Sequence, residues 1–306
     1  MNNMKIGILG ASGFIGSGLT NHFITNKTEI ELHLFSRNII KNDNFPRNIK
    51  FHKFDLNEKK NLKELYEVDI LYYLISDGIP LTSWNSPIDE FVKNLIPFVT
   101  LIEKIKTGKL KKIIFTSSAG TIYGQSKDKI SENSLKFPFS PYGIAKLTTE
   151  YFLDYFKMKH NISYEIYRIS NIYGPNQKIN KGLGLINTLI ENHVNGKETI
   201  IYGDGSTLRN YIYIRDVVTI LGKSIDNNLN ESNIINLASN DNLSINNIIT
   251  VIEKTISQNL KIKYSTKRNS DNPFIAINNE KLLNSNPKFI LTPLDKGILE
   301  TYKSII

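Results

Sequence analysis

Short runs of consecutive apolar residues alternate along most of this chain with longer stretches whose apolar positions recur every three or four residues. The runs Lys5–Leu9, Glu31–Phe35, Ile49–Phe54, Ile70–Ile75, Lys112–Ser117, Ser163–Ile169 and Ile234–Leu237 read as strands buried on both faces. The gaps mostly carry helical patterns, so an α/β fold is expected: a doubly wound parallel sheet with helices on both faces and a ligand across the carboxyl ends of the strands. From about Tyr173 the pattern loosens. Glycines stand at 182, 184, 196, 203 and 205, a short strand pair is expected around Thr199–Tyr202 and Tyr211–Ile214, and Pro273, Pro287 and Pro293 punctuate the tail. This predicts a smaller, mixed α/β C-terminal lobe for substrate. The expected division is 1–171 with 216–238 for the first domain and 172–215 with 239–306 for the lobe.

The first strand runs into Gly10-Ala-Ser-Gly13-Phe-Ile-Gly16, after which Ile15, Leu19, His22 and Phe23 fall at helical spacing. Three glycines at this interval are a weak signal alone, but between a strand and a helix they describe a dinucleotide cradle of the Rossmann type. Gly10 permits the tight turn, Gly13 leaves room for a pyrophosphate, and Gly16 lets the helix close on the sheet. Backbone N–H groups of the first helical turn, around Ser12, Phe14 and Ile15, then face the phosphates.

Composition narrows the chemistry. With no cysteine among 306 residues, the chain has no disulfide framework, thiolate zinc site or thiol nucleophile. No window is apolar enough to span a bilayer and no signal peptide precedes the first strand, so a cytoplasmic protein without membrane partners is expected. The net charge of +9 is scattered, apart from a modest cluster of Lys104, Lys106, Lys109, Lys111 and Lys112 that reads as a solvated face rather than a nucleic-acid site. The excess charge suits an anionic small molecule. Apolar helices around Leu95–Ile105 and Ala145–Phe156 suit either a homodimer interface or burial in the core.

Three Tyr-x-x-x-Lys pairs occur, about what chance provides. Tyr123/Lys127 leaves a strand through a glycine turn, and Tyr155/Lys159 lies far along a helix, where Tyr155 reads as a core aromatic. Tyr142/Lys146 follows Pro141, suited to a first helical turn, and comes twenty-four residues after Ser118 at a serine-rich strand end. Side chains at i and i+4 share a helix face, so the ammonium is placed to favour the phenolate. Bringing a phenol from its usual ~10 to neutral pH takes about 4 kcal/mol, which a desolvated cation and a nicotinamide's charge together can supply.

The ordered set Gly10-x-x-Gly13-x-x-Gly16, Ser117-Ser-Ala-Gly-Thr-Ile-Tyr-Gly124, Tyr142-x-x-x-Lys146 and Arg168-Ile-Ser-Asn-Ile-Tyr-Gly-Pro175 resembles the extended short-chain dehydrogenase/reductases that act on nucleotide sugars, the NAD-dependent epimerase/dehydratase family. The resemblance implies that Ser118 bonds the sugar oxygen, that Tyr142 is the acid/base, and that Lys146 also holds the nicotinamide ribose. Many members place the hydroxyl residue four positions before Tyr-Gly, where this chain has Ala119, so Ser117 and Thr121 stay open as alternatives to Ser118. It further implies a nucleotide-diphosphate sugar gripped by Arg209 and Arg268, with Asn171 on the substrate and Asp271 at the nucleotide ribose. Two guanidiniums suit a diphosphate because each donates in pairs. Arg168 is expected to serve structure at its strand end.

After the second strand, where NAD-binding members commonly carry an acid, this chain has Ser36-Arg37-Asn38. A serine and an arginine suit a 2′-phosphate, which favours NADP(H) over NAD(H). Asp55-Leu56 resembles the family's adenine contact. Ala119-Gly120 replaces the Asp-Glu of dehydratases, and the cysteine-histidine pair of the two-carbon epimerases is absent. The expected activity is an NADPH-dependent reductase of a nucleotide-linked 4-keto hexose. A nucleotide-sugar 4-epimerase is the close alternative, and a cofactor-binding scaffold without turnover a remote one.

Overall fold

The computed structural model describes residues 4–27, 29–38, 45–56, 62–124, 126, 128–179, 184–266 and 275–306. The first part of the chain runs β1 (Lys5–Leu9), α1 (Phe14–Asn26), β2 (Glu31–Ser36), β3 (Ile49–Lys53) and, after a 3-10 turn, β4 (Ile70–Tyr73). Then come α2 (Pro80–Ser83), α3 (Pro87–Glu90), a π-helical turn (Phe91–Leu95), α4 (Ile96–Ile105), β5 (Lys112–Ser118), α5 (Ala119–Ile122), α6 (Pro141–His160) and β6 (Ser163–Ile169). The remainder is β7 (Asn171–Tyr173), α7 (Leu185–Val194), β8 (Thr199–Tyr202), β9 (Leu208–Tyr213), α8 (Ile214–Lys223), β10 (Asn233–Leu237), β11 (Asn242–Ser244), α9 (Ile245–Ile256), β12 (Ile262–Ser265), α10 (Glu280–Ser285) and α11 (Leu294–Lys303).

These elements form two compact units. The first comprises Met1–Ser118, Pro138–Arg168 and Val218–Ile234; the second comprises Ala119–Phe137, Ile169–Val217 and Ile235–Ile306. The main sheet has the order β10-β6-β5-β4-β1-β2-β3, with β1 parallel to β2 and β4, β2 to β3, and β4 to β5. The order reverses beside β1, at the switch point where ligands bind in such sheets. This is the doubly wound α/β arrangement read from the alternation of apolar runs. On one face of the first unit, Phe98, Leu101, Ile102 and Ile105 of α4 and Leu153 and Phe156 of α6 pack on Leu71, Tyr73, Ile113 and Phe115. On the other face Phe23 of α1 meets Tyr72 edge-on, with ring centroids 5.7 Å apart, and the Tyr72 hydroxyl donates to Leu221 O at 2.8 Å.

In the second unit the expected pairing of Thr199–Tyr202 with the segment around Tyr211 is not formed. β8 instead pairs in parallel with β12, and β9 lies between β7 and β11. The connection explains this: Gly203 and Gly205 both take left-handed conformations (φ 87° and 75°), and Asp204 accepts from the N–H and hydroxyl of Ser206. The turn is thereby held open, and each strand finds a partner distant in sequence.

Two surface expectations are also corrected. Tyr155 is exposed rather than a core aromatic, because Leu153 and Phe156 occupy the inward positions of that helix turn. Of the lysine cluster, Lys106, Lys109 and Lys111 pair with Glu103, Glu67 and Asp69, while Lys112 is fully buried and bonds Glu165 at 2.9 Å. Four of the five lysines thus face carboxylates. No helix among the described residues is long and apolar enough to cross a membrane.

Candidate active site

β1 ends at Leu9, and Gly10 takes φ +84°, a conformation that only glycine adopts without strain. Its N–H and that of Ala11 both donate to Phe35 O, and Gly13 N–H returns to Gly10 O at 2.9 Å, closing the turn. A Cβ on Gly16 would stand 2.1 Å from Gly10 O, so any side chain there would push α1 off the turn. Gly13 caps α1 with its backbone alone: no side chain accepts from the first turn, which also carries no acid. The first intrahelical bond is Ser17 N–H to Gly13 O at 2.8 Å, which leaves the earlier N–H groups at Phe14, Ile15 and Gly16 for an anion. Ser12 and Gly13 are exposed, and Phe14 and Ile15 half-buried. These residues fit a dinucleotide pyrophosphate.

At the end of β2, Ser36 is buried and its hydroxyl donates to Asn38 O, while Arg37 is exposed. The serine's donor is thus used in the turn, leaving Arg37 as the free-standing polar group of the pair. Asp55 and Leu56 follow β3 after the buried Phe54; Leu56 packs against the core cluster and both are half-buried.

β5 extends to Ser118, one residue beyond the expected end. Ser118 is half-exposed there, whereas Ser117 Oγ and Thr121 Oγ1 are buried without a hydrogen-bond partner. α6 starts where Pro141 predicts, with Ser140 accepting from Gly143 N–H at 3.1 Å as its cap. That fixes the helical phase, and Lys146 turns under Tyr142 with its Nζ 5.6 Å from the phenol ring centroid. The ammonium donates to Thr116 O at 3.1 Å and lies 4.9 Å from the Phe115 ring. Burial pulls the Lys146 ammonium down to about 8, opposed by the carboxylates of Glu90 and Glu150. Burial also pushes the Tyr142 phenol up to about 12, opposed by the Ser76 hydroxyl and reinforced by Glu90. In the protein alone burial dominates this phenol and raises it; the fall toward neutral pH expected above needs a nicotinamide's charge in addition to the ammonium.

The competing pair is set aside by position: the Tyr123 hydroxyl is spent on Asn236 Oδ1 at 2.6 Å, and Lys127 lies outside the described residues. Arg168 is buried and grips Glu150 with both Nε (3.2 Å) and a terminal nitrogen (2.7 Å), the structural role expected of it.

In the second unit, Asn171 opens β7 and stands opposite Tyr211 of β9, two residues from Arg209. Its amide donates to Asn210 O at 2.8 Å, and an Arg209 terminal nitrogen donates to Leu208 O at 2.8 Å. Adjacent strands thus bring these two residues together. Arg268 and Asp271 lie outside the described residues.

Two neighbours of the Tyr142–Lys146 pair escaped the sequence reading. Glu90 and Asn94 line the same recess as Tyr142, Lys146, Phe115 and Tyr73. A signal for them existed: Glu90 and Asn94 continue the inward phase of Phe98, Leu101 and Ile105, so polar groups sit where a core stripe should be. Among the described residues no grouping of histidines and carboxylates could hold a metal ion.

The sequence matches the NAD dependent epimerase/dehydratase family over residues 6–238. It is 28% identical to the dTDP-4-dehydro-6-deoxyglucose reductase of Escherichia coli, with 100% of this chain and 99% of that protein covered. It is 27% identical to the UDP-glucose 4-epimerase of Mycolicibacterium smegmatis, covering 70% and 71% of the two chains. Among solved structures, the UDP-glucuronic acid 4-epimerase from Bacillus cereus, in complex with UDP-glucuronic acid and NAD, superposes with a TM-score of 0.89 at 25% identity and 99% coverage of both chains. With the glycine turn, the β5 end and the Tyr142–Lys146 pair in one unit, and a family match over well more than half its length, this chain belongs to the NAD dependent epimerase/dehydratase family and is an enzyme.

Proposed function

We propose that this protein is an NADPH-dependent reductase of a nucleotide-linked 4-keto hexose. The observation that carries the reading is the placement of Tyr142, whose ring lies 5.6 Å from the buried Lys146 Nζ, with burial raising the phenol so that it favours its protonated form. Reduction of a ketone needs a proton donor at the moment the alkoxide forms, and Tyr142 is poised as that donor. Bound NADPH would supply the hydride to C4. Ser118 holds the ketone oxygen, Tyr142 delivers its proton to it, and Lys146 keeps a positive charge below the phenol so that the phenolate left behind is stabilised. Glycine-turn N–H groups hold the pyrophosphate, Lys146 holds the ribose, and Arg209 with Arg268 grips the sugar-nucleotide diphosphate while Asn171 and Asp271 contact the rest of the substrate. End-to-end similarity to a 4-keto sugar nucleotide reductase supports the same direction of reaction.

A 4-epimerase is the second reading, favoured by the close superposition on an enzyme of that activity. It requires Tyr142 to begin as a base. Anaerobic incubation with NADPH and a panel of nucleotide-linked 4-keto hexoses separates the two: loss of 340 nm absorbance is the expected result. Interconversion of two ordinary nucleotide hexoses with no cofactor consumed would replace the reductase by the epimerase.

The cofactor preference rests on Arg37. Its guanidinium is exposed beside the adenosine end of the cradle and would pair with a 2′-phosphate. Replacing it by serine is expected to weaken NADPH binding about ten- to a hundredfold, the worth of a charged hydrogen bond. NADH binding should stay as it was. Equal loss for both cofactors, measured by titration calorimetry, would remove Arg37 from this role.

A further inference from the structure

Lys146 carries three donors into a buried site, and among the described residues its hydrogen bond is to Thr116 O. Two carboxylates bear on it electrostatically, Glu90 and Glu150. Glu150 is already engaged by the Arg168 guanidinium through two bonds, which leaves Glu90. Glu90 is only 4% exposed, a costly position for a carboxylate without a cation. It is held from both sides. Asn94 on the π-helical turn donates to Oε2 at 2.9 Å, and the same amide accepts from Asp77 N–H at 2.8 Å, tying the loop after β4 to the helix that carries Glu90. On the other side the carboxylate occupies the space a side chain at 78 would fill, since a Cβ on Gly78 would stand 2.0 Å from Glu90 Oε1. An amide clamp and a glycine seat make this a built position, and it opens on the recess that holds Lys146 and Tyr142.

We propose that Glu90 is a positioning residue of the active site: the counter-ion that keeps the Lys146 ammonium charged and directed beneath Tyr142. The proposal rests on the reading of Tyr142 and Lys146 as the catalytic pair. Its electrostatics are consistent from both partners. Burial raises the Glu90 carboxyl, with Asp77 and Asp89 adding to the rise and Lys146 and the Asn94 bond opposing it. The same carboxylate opposes the fall of Lys146 and reinforces the rise of Tyr142. Among the described residues the other ionisable group lining the recess is the Tyr73 hydroxyl, buried and without a hydrogen-bond partner, while Glu150, outside that lining, is paired with Arg168. Glu90 thus favours the protonated form of both members of the pair.

The test is the ionisation of Lys146 itself, followed in protein carrying 13Cε-labelled lysine, with the Lys146 signal identified by its loss in Lys146→Arg. In Glu90→Gln, which keeps the shape and loses the charge, the Lys146 midpoint should fall by about one pH unit. The alkaline limb of the kcat profile should move down with it, because turnover then loses the ammonium and the protonated phenol at lower pH. Should Glu90→Gln fail to fold, Gly78→Ala displaces the flexible carboxylate without removing it and should shift the midpoint in the same direction. An unchanged Lys146 midpoint in a folded variant of either kind overturns the proposal. Failure of the underlying reading shows differently: Tyr142→Phe and Lys146→Met would keep full turnover, while in protein that retains Lys146 its midpoint would still depend on Glu90.

Discussion

Tyr142→Phe is expected to lower kcat by about a hundredfold to ten-thousandfold, the usual worth of a positioned acid or base, with cofactor affinity retained. The ring stays in the recess and keeps its packing; only the proton is lost. Because Tyr142 lies in the first turn of α6, capped by Ser140 rather than by its own hydroxyl, the helix has no reason to shift. On the proposed reductase reading, single-turnover measurement with bound NADPH isolates the effect from binding. A variant that oxidises NADPH at the wild-type rate would show that the proton comes from elsewhere, and the partly exposed Ser118 would be the next candidate to examine.

Arg168→Met should destabilise the protein by about 3–5 kcal/mol, the loss found when one partner of a buried ion pair is removed. Arg168 is 1% exposed and Glu150 3%, so the carboxylate left behind has no access to water. It lies on α6 four residues beyond Lys146, whose ammonium already feels its charge. The orphaned Glu150 is therefore expected to compete with Glu90 for that ammonium, and activity should fall along with stability. Urea denaturation checks the first effect. Combining Arg168→Met with Glu150→Leu should recover much of the lost stability, because no buried charge then remains. A single variant within about 1 kcal/mol of wild type would mean that the pair contributes little and that relaxation or water relieves Glu150.

Tyr142 and Lys146 were legible because their relation is local. Four residues along a helix place two side chains on one face whatever the rest of the chain does, and Pro141 marks where the helix starts. The glycine turn was legible for the same reason: strand, turn and helix are contiguous, and the constraint at Gly16 comes from Gly10, six residues away. The ionisation of Tyr142 was not, since it depends on how much protein surrounds the phenol and on Glu90 and Ser76, which lie on other elements. Ser36 shows the limit of reading a residue type as a role. Its hydroxyl suits a phosphate, yet the backbone turn that follows β2 brings Asn38 O within reach and takes the donor.

From its sequence alone, this protein determined its alternating elements, the glycine turn and the phase of α6, because hydrophobic periodicity and glycine stereochemistry act over a few residues. Only the tertiary structure decided which strands pair: β8 finds β12 some sixty positions away, and pairing energy depends on register and shared burial that no local pattern encodes. The same holds for buried charge. Lys112 looked like one more surface lysine until folding set Glu165 against it, and Glu90 is buried only because the loop after β4 offers Gly78 as its seat and Asn94 bonds its carboxylate. A charge is stable inside a protein only when its partner arrives from elsewhere in the chain, and that arrival is a property of the fold.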